Sequence, residues 1–147
     1  MPVDTRRNFL QVVTGGACAL AGACTDAPVG PKPFGDVSAG NVTAIPVGTL
    51  MQVATLPVFI ARDAGGLYAM TSTCTHQGCD VMASQASSSS VSLLCLCHGS
   101  QFDRNGGVVR GPASSPLVHF AVEVDVTGTV IVHGDIQVDP AVRVVVA

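Results

Sequence analysis

The sequence predicts an all-β domain, built as an antiparallel sandwich or partial barrel. Three observations carry this. Val, Gly, Ser and Thr are plentiful, while aromatic residues are scarce and only 12% of the chain is charged, a mixture that favours short β-branched strands joined by small-residue turns. A hairpin signature lies between Pro57 and Thr71. The clearest period-two alternation runs from Val118 to Val126. At 147 residues the chain has room for one domain with a core large enough to hold it folded.

The first 24 residues stand apart from the fold. Thr5-Arg6-Arg7-Asn8-Phe9-Leu10 is a twin-arginine pair followed by apolar residues, and a weakly apolar run continues to Cys24. The pattern is similar to a twin-arginine signal, which exports folded proteins to the periplasmic side of a bacterial inner membrane. The run falls short of the roughly 20 apolar residues of a membrane span. Ala21-Gly22-Ala23 has the small-residue character of a cleavage site, and Cys24 offers a point for lipid attachment. Soluble, lipidated and anchored products all stay open. Cys18 reads as a small apolar residue within the signal. Residues 25–40, with Pro28, Pro31 and Pro33 among Gly30, Gly35 and Gly40, read as a flexible linker. Residues 41–147 then form the globular domain.

Within that domain, Pro57–Arg62, the turn Asp63-Ala64-Gly65-Gly66 and Leu67–Thr71 read as a hairpin. Val91-Ser92-Leu93-Leu94 reads as a short strand. The alternation places Val118, Phe120, Val122, Val124 and Val126 on a dry face, with His119, Ala121, Glu123 and Asp125 on a wet one. His119 and His133 therefore read as surface histidines, the latter near a strand end. A turn at Thr127-Gly128 leads into Thr129–Val132, and Val142–Val146 is expected to close an edge. The serine run Ser87–Ser90 reads as a loop tip. A net charge of −3, with no basic cluster beyond Arg6-Arg7, gives no reason to expect nucleic acid as a partner.

Between the strands lie two boxes that carry chemistry. Cys74-Thr75-His76-Gln77-Gly78-Cys79 is separated by fifteen residues from Cys95-Leu96-Cys97-His98-Gly99-Ser100. Each offers a Cys and a His close together, with a second Cys beside them. The boxes match the Rieske pattern C-x-H-x-G-C and C-x-C-H-G-S at every defined position, and the chain resembles the high-potential branch of that [2Fe–2S] family. The resemblance runs from about Ile45 to Gly134. It implies a Rieske-like fold with two cluster-binding loops at one tip, and Cys74 and Cys95 as ligands of the inner iron. It likewise implies His76 and His98 as ligands of the solvent-facing iron, and a disulfide between Cys79 and Cys97. By the same resemblance Ser100 donates a hydrogen bond to a bridging sulfide, which favours the reduced cluster. Gly111-Pro112-Ala113 is similar to the family's loop that covers the cluster. In two places the chain departs from the quinol-oxidising members, which usually carry Tyr at the position of Phe102 and a second Pro at that of Ser114. Both departures point to a potential below the top of the family's range.

The resemblance implies an electron carrier. No nucleophile–base pair or substrate-pocket signature accompanies the boxes, so the chain reads as a subunit of an oxidoreductase complex and not as a stand-alone catalyst. The first reading is an exported iron–sulfur subunit that takes electrons from membrane quinol and passes them to a cytochrome. There a ligand histidine accepts the quinol proton. The alternative is the small subunit of a periplasmic oxidoreductase such as an arsenite-oxidase-like enzyme, with a molybdenum subunit as partner, and Phe102 suits it. A cytoplasmic oxygenase component is disfavoured by Cys79, Cys97 and the export signal. A tetrahedral Cys2His2 zinc site on Cys74, His76, Cys95 and His98 competes, although C-x-H is tight for one zinc and leaves Cys79 and Cys97 without a role. A c-type haem fails on spacing, because one residue separates Cys95 from Cys97 where attachment needs two.

Overall fold

The structure is a computed structural model that describes residues 29–54, 56–84 and 90–146. The twin-arginine signal and most of the serine run lie outside these residues. Among the described residues there is no helix long and apolar enough to cross a membrane.

The expected antiparallel β architecture is what the chain adopts. Among the described residues ten strands follow in chain order: β1 (Asp36–Asn41), β2 (Leu50–Gln52), β3 (Val58–Asp63), β4 (Gly66–Thr71), β5 (Val81–Ala83), β6 (Leu93–Cys95), β7 (Gln101–Phe102), β8 (Val108–Arg110), β9 (His119–Val124) and β10 (Thr129–Val138). Six of them form a curled half-barrel in the order β1-β10-β9-β4-β3-β2, and the other four form a second sheet, β5-β6-β7-β8. All pairings are antiparallel.

The β3–β4 hairpin stands where the sequence places it, with Asp63 opposite Gly66 at the turn. Its strands read as nearly continuous apolar runs because both faces are covered. Phe59, Ala61, Tyr68 and Met70 alternate into a core shared with Val81, Leu93 and Phe102 of the small sheet. Val58, Ile60, Leu67 and Ala69 point the other way, into a core with Phe120, Val130 and Val132. The hairpin is thus the common wall of two cores, and the small sheet that carries the cluster boxes is fastened to it by buried side chains. Val144 pairs with Leu67 through two backbone hydrogen bonds of 2.9 Å, so the C-terminal segment does extend the half-barrel beside β4.

Several sequence expectations are corrected. Residues 36–40, assigned to the flexible linker, belong to β1, which pairs with β10 through Asp36↔His133, Val37↔Val132 and Ser38↔Ile131. An edge strand contributes one face to a core, and only Ala39 of β1 is buried, so the strand leaves little apolar signal. The linker's remaining described part, residues 29–35, has no regular secondary structure but lies against the domain. Val91 and Ser92 precede β6 instead of belonging to it. Val126, expected on a dry face, is fully exposed in the turn after β9. His133 lies inside the ten-residue β10, not near its end. Its Nδ1 sits 2.7 Å from Asp36 Oδ1, an interaction that lifts the imidazole above its ordinary value.

The largest correction is His119. It is 2% exposed, its ring stacks on Tyr68 with centroids 5.9 Å apart, and its Nδ1 lies 3.1 Å from Leu117 O. The alternation identifies Phe120 as inward, but at this end of β9 the opposite face is also covered, by Tyr68 and Leu117 of the shared core. Burial pushes the His119 imidazole down from its ordinary value.

Candidate metal centre

The two boxes fold into loops of one design. In the first, Gly78 N–H donates to Cys74 O at 2.9 Å and Cys74 N–H donates to Cys79 O at 2.7 Å; in the second, Gly99 N–H donates to Cys95 O and Cys95 N–H donates to Ser100 O, both at 2.9 Å. Each turn closes only because its glycine sits at positive φ, +77° at Gly78 and +79° at Gly99, where a side chain would be strained. These glycines are the fifth residue of both boxes, so the shared spacing encodes a shared backbone path.

That path sorts the side chains by depth. Cys74 and Cys95 are free thiols, each 1% exposed, and both sit in the core shared by the two sheets. The imidazoles of His76 and His98 lie above them, with ring centroids 4.9 Å apart and planes at 83°. His98 is exposed and His76 half-buried. Cys79 and Cys97 are joined by a disulfide across 18 residues, with Cα atoms 6.4 Å apart. The Cys95 sulfur lies within 4.8 Å of both disulfide sulfurs, but those two are bonded to each other, and only Cys95 of the three has a thiol to offer.

Two features test whether these residues suit a metal cluster. The Nδ1 atom of His76 is buried and has no hydrogen-bond partner, a costly arrangement unless another group completes it. Burial pushes the Cys95 thiol up, and a hydrogen bond with the Cys74 thiol adds to this, while the backbone N–H groups of Cys97 and His98 pull it back down. Two buried thiols in contact and an orphaned imidazole nitrogen form a donor set that fits a cluster of mixed sulfur and nitrogen ligation.

The surroundings hold both loops. Ser100 is fully buried, and its Oγ accepts the Ala113 N–H at 3.0 Å, which leaves the hydroxyl proton for a second partner. Thr75 Oγ1 donates to Ser115 O at 2.6 Å. Residues 113–115 are therefore fastened to both boxes, and they adjoin Gly111-Pro112, the start of the loop singled out by the resemblance. Phe102 is fully buried in the core beneath. Thr75, though inside the first box, carried no sequence signal for its bond to Ser115, because the two lie 40 residues apart.

Comparison with known proteins settles the family. The Rieske [2Fe-2S] domain model matches residues 35–125. The chain belongs to the Rieske [2Fe–2S] family. Among similar proteins, the cytochrome b6-f complex iron-sulfur subunit of Chlorobaculum tepidum is 29% identical over 131 residues, spanning 82% of this chain and 71% of that protein. The subunit of the same name from Prochlorococcus marinus is 43% identical over 70 residues, 45% of this chain and 38% of that one. Among solved structures, the plasma membrane Rieske protein of the cyanobacterium Synechocystis aligns with a TM-score of 0.50 at 28% identity, covering 65% of this chain and 97% of that one. A quaternary ammonium Rieske monooxygenase aligns with a TM-score of 0.51 at 17% identity over 70% of this chain and 33% of its own, a likeness of fold alone. The family's cofactor is a [2Fe–2S] cluster and its work is electron transport, so this Rieske protein is an electron carrier, and its disulfide is of the high-potential type.

Proposed function

We propose that Cys74 and Cys95 hold the inner iron of the cluster through sulfur and that His76 and His98 hold the outer iron through ring nitrogens. Ser100, whose Oγ accepts from Ala113 N–H, would offer its hydroxyl proton to the cluster. The observation that carries this is the ordering by depth, with two buried thiols in contact below and two imidazoles above, one with an orphaned Nδ1. When bound, the cluster accepts and releases one electron at a time, at a potential that two neutral imidazoles raise above that of an all-thiolate centre.

The protein's own groups supply the rest. His76 ligation through Nδ1 leaves its Nε2 on the outer side, and the exposed His98 ring presents an edge to solvent. Such nitrogens can accept a proton from a quinol hydroxyl docked at the tip. The buried thiols exclude water from below, and the Cys79–Cys97 disulfide ties the loops together. Its presence suits an oxidising compartment.

The chain, in this reading, is the iron–sulfur subunit of a quinol-oxidising cytochrome complex. It would be exported by a twin-arginine signal in residues 1–24 and work at the periplasmic face of the inner membrane. Similarity to cytochrome b6-f iron-sulfur subunits supports it. Purifying the native complex and identifying its subunits tests it, with a b-type cytochrome expected. Phe102 favours a second reading, because it puts no hydroxyl beside the boxes: the small subunit of an arsenite-oxidase-like enzyme. Recovery of a molybdenum subunit without any cytochrome b would decide for that alternative.

A further inference from the structure

We propose that the N-terminal arm, residues 29–35, is a positioning element for the first cluster loop and holds the peptide that carries His76. The proposal rests on the assignment of His76 as a ligand. Val29 N–H donates to Thr75 O at 3.1 Å, and this carbonyl belongs to the peptide bond leading directly into His76. The Val29 side chain also approaches the same loop, its Cγ1 lying 3.5 Å from where a Cβ on Gly78 would stand.

The arm is anchored at its other end as well. The Phe34 ring meets Phe120 edge-on, with centroids 5.1 Å apart at 74°. It also lies over Gly134, where an added Cβ would come within 2.2 Å of the ring carbons, so no other residue at 134 leaves Phe34 in place. Directly after it, β1 pairs with β10. Between the anchors, Pro31 and Pro33 restrict the backbone and make the arm a stiff spacer, which lowers the entropy lost on docking. Thr75 is consequently held from two sides, its carbonyl by the arm and its hydroxyl by Ser115 O.

Hydrogen exchange of the full-length, cluster-loaded protein tests this, read on the amides of Thr75 to Gly78 and, for comparison, on the β3–β4 hairpin. Val29→Pro removes the N–H at an exposed position, Val29→Ala keeps it, and Gly134→Ala dislodges Phe34 from a distance. Val29→Pro and Gly134→Ala are expected to speed exchange in the first loop by roughly fivefold, the worth of about one hydrogen bond. The hairpin amides should not change, and Val29→Ala should resemble the wild type. The EPR g-values of the reduced cluster should move with Val29→Pro and Gly134→Ala. Unchanged loop exchange in a loaded Val29→Pro protein overturns the proposal, as does equal acceleration in the hairpin, which would reveal general destabilisation. A wild-type protein free of iron and sulfide overturns the ligand assignment, and the proposal with it.

Discussion

Replacing Ser100 by Ala separates the hydrogen bond its hydroxyl accepts in the structure from the donor role proposed for it toward the cluster. The Ser100 Oγ accepts the Ala113 N–H at 3.0 Å, and both residues are buried, at 0% and 4% exposure. Water cannot take the place of the lost oxygen. The orphaned amide should cost about 1–3 kcal/mol of stability. The second role is electronic. Because the oxygen accepts from Ala113, its own proton is free to point at the cluster, where a donor favours the reduced, more negative state. One neutral hydrogen bond of about 1 kcal/mol corresponds to roughly 40 mV for a one-electron couple, so the midpoint potential should fall by that order. Protein-film voltammetry at one pH measures the second effect, and thermal unfolding of the loaded protein the first. A destabilised variant with unchanged potential would mean that Ser100 only fastens the covering loop, and the donor role would be lost.

Phe102→Tyr places a hydroxyl where the buried ring packs beside the boxes, and voltammetry should show a potential raised by some tens of millivolts, opposite in sign to Ser100→Ala. Replacing Cys79 and Cys97 together by Ala opens a loop spanning 18 residues, costing roughly 3 kcal/mol in the chain-entropy treatment. The cluster should still assemble but bleach faster, and peptide mapping of the alkylated, unreduced wild type should find the two cysteines linked. The purified protein should hold two irons and two sulfides and give the low-average-g EPR signal of mixed ligation, whereas one stoichiometric zinc would contradict it. Two histidines should shape stability in opposite directions. His119 is held below its ordinary value of 6.5 by burial, so its contribution is full above 6.5 and is lost as pH falls and the unfolded chain takes the proton. His133 is raised from 6.5, chiefly by its hydrogen bond to Asp36. Its contribution is full below 6.5 and is lost as pH rises through its folded value. His119→Phe should therefore flatten the acid side of a melting-temperature profile, and His133→Gln the neutral side.

What the sequence reveals follows physical range. The β3–β4 hairpin is legible because its signal is local, two largely apolar runs on either side of the turn Asp63-Ala64-Gly65-Gly66. The boxes are legible because backbone turns demand glycine at a fixed place and ligands demand chemistry that no other residues supply. The strands β5, β7 and β8 are only two or three residues long, too short for any periodicity. His119 was misplaced because alternation reports one face of a strand, while coverage of the other face depends on Tyr68 and Leu117. The arm reads as a flexible linker because prolines and glycines mark the absence of regular structure, and they say nothing about docking. Only the distant partners Phe120, Gly134 and Thr75 disclose that contact.

The two cluster loops share one backbone scheme and one disulfide, yet they are supported differently, and the difference has consequences. Residues 113 and 115 engage both: Ala113 N–H reaches the end of the second box at Ser100, and Ser115 O reaches the first box at Thr75, one residue before His76. A single covering segment thus restrains both boxes beside their histidines, with the exposed Ser114 between its anchors. The first loop has an additional hold through Val29, and the second has none of that kind among the described hydrogen bonds. His98, on the second loop, is also the more exposed of the two imidazoles. The histidine on the less restrained loop is therefore the more exposed one, and the histidine on the more restrained loop follows the residue that the N-terminal arm holds. Such a division suits a carrier whose tip must engage and release partners while its cluster stays in place.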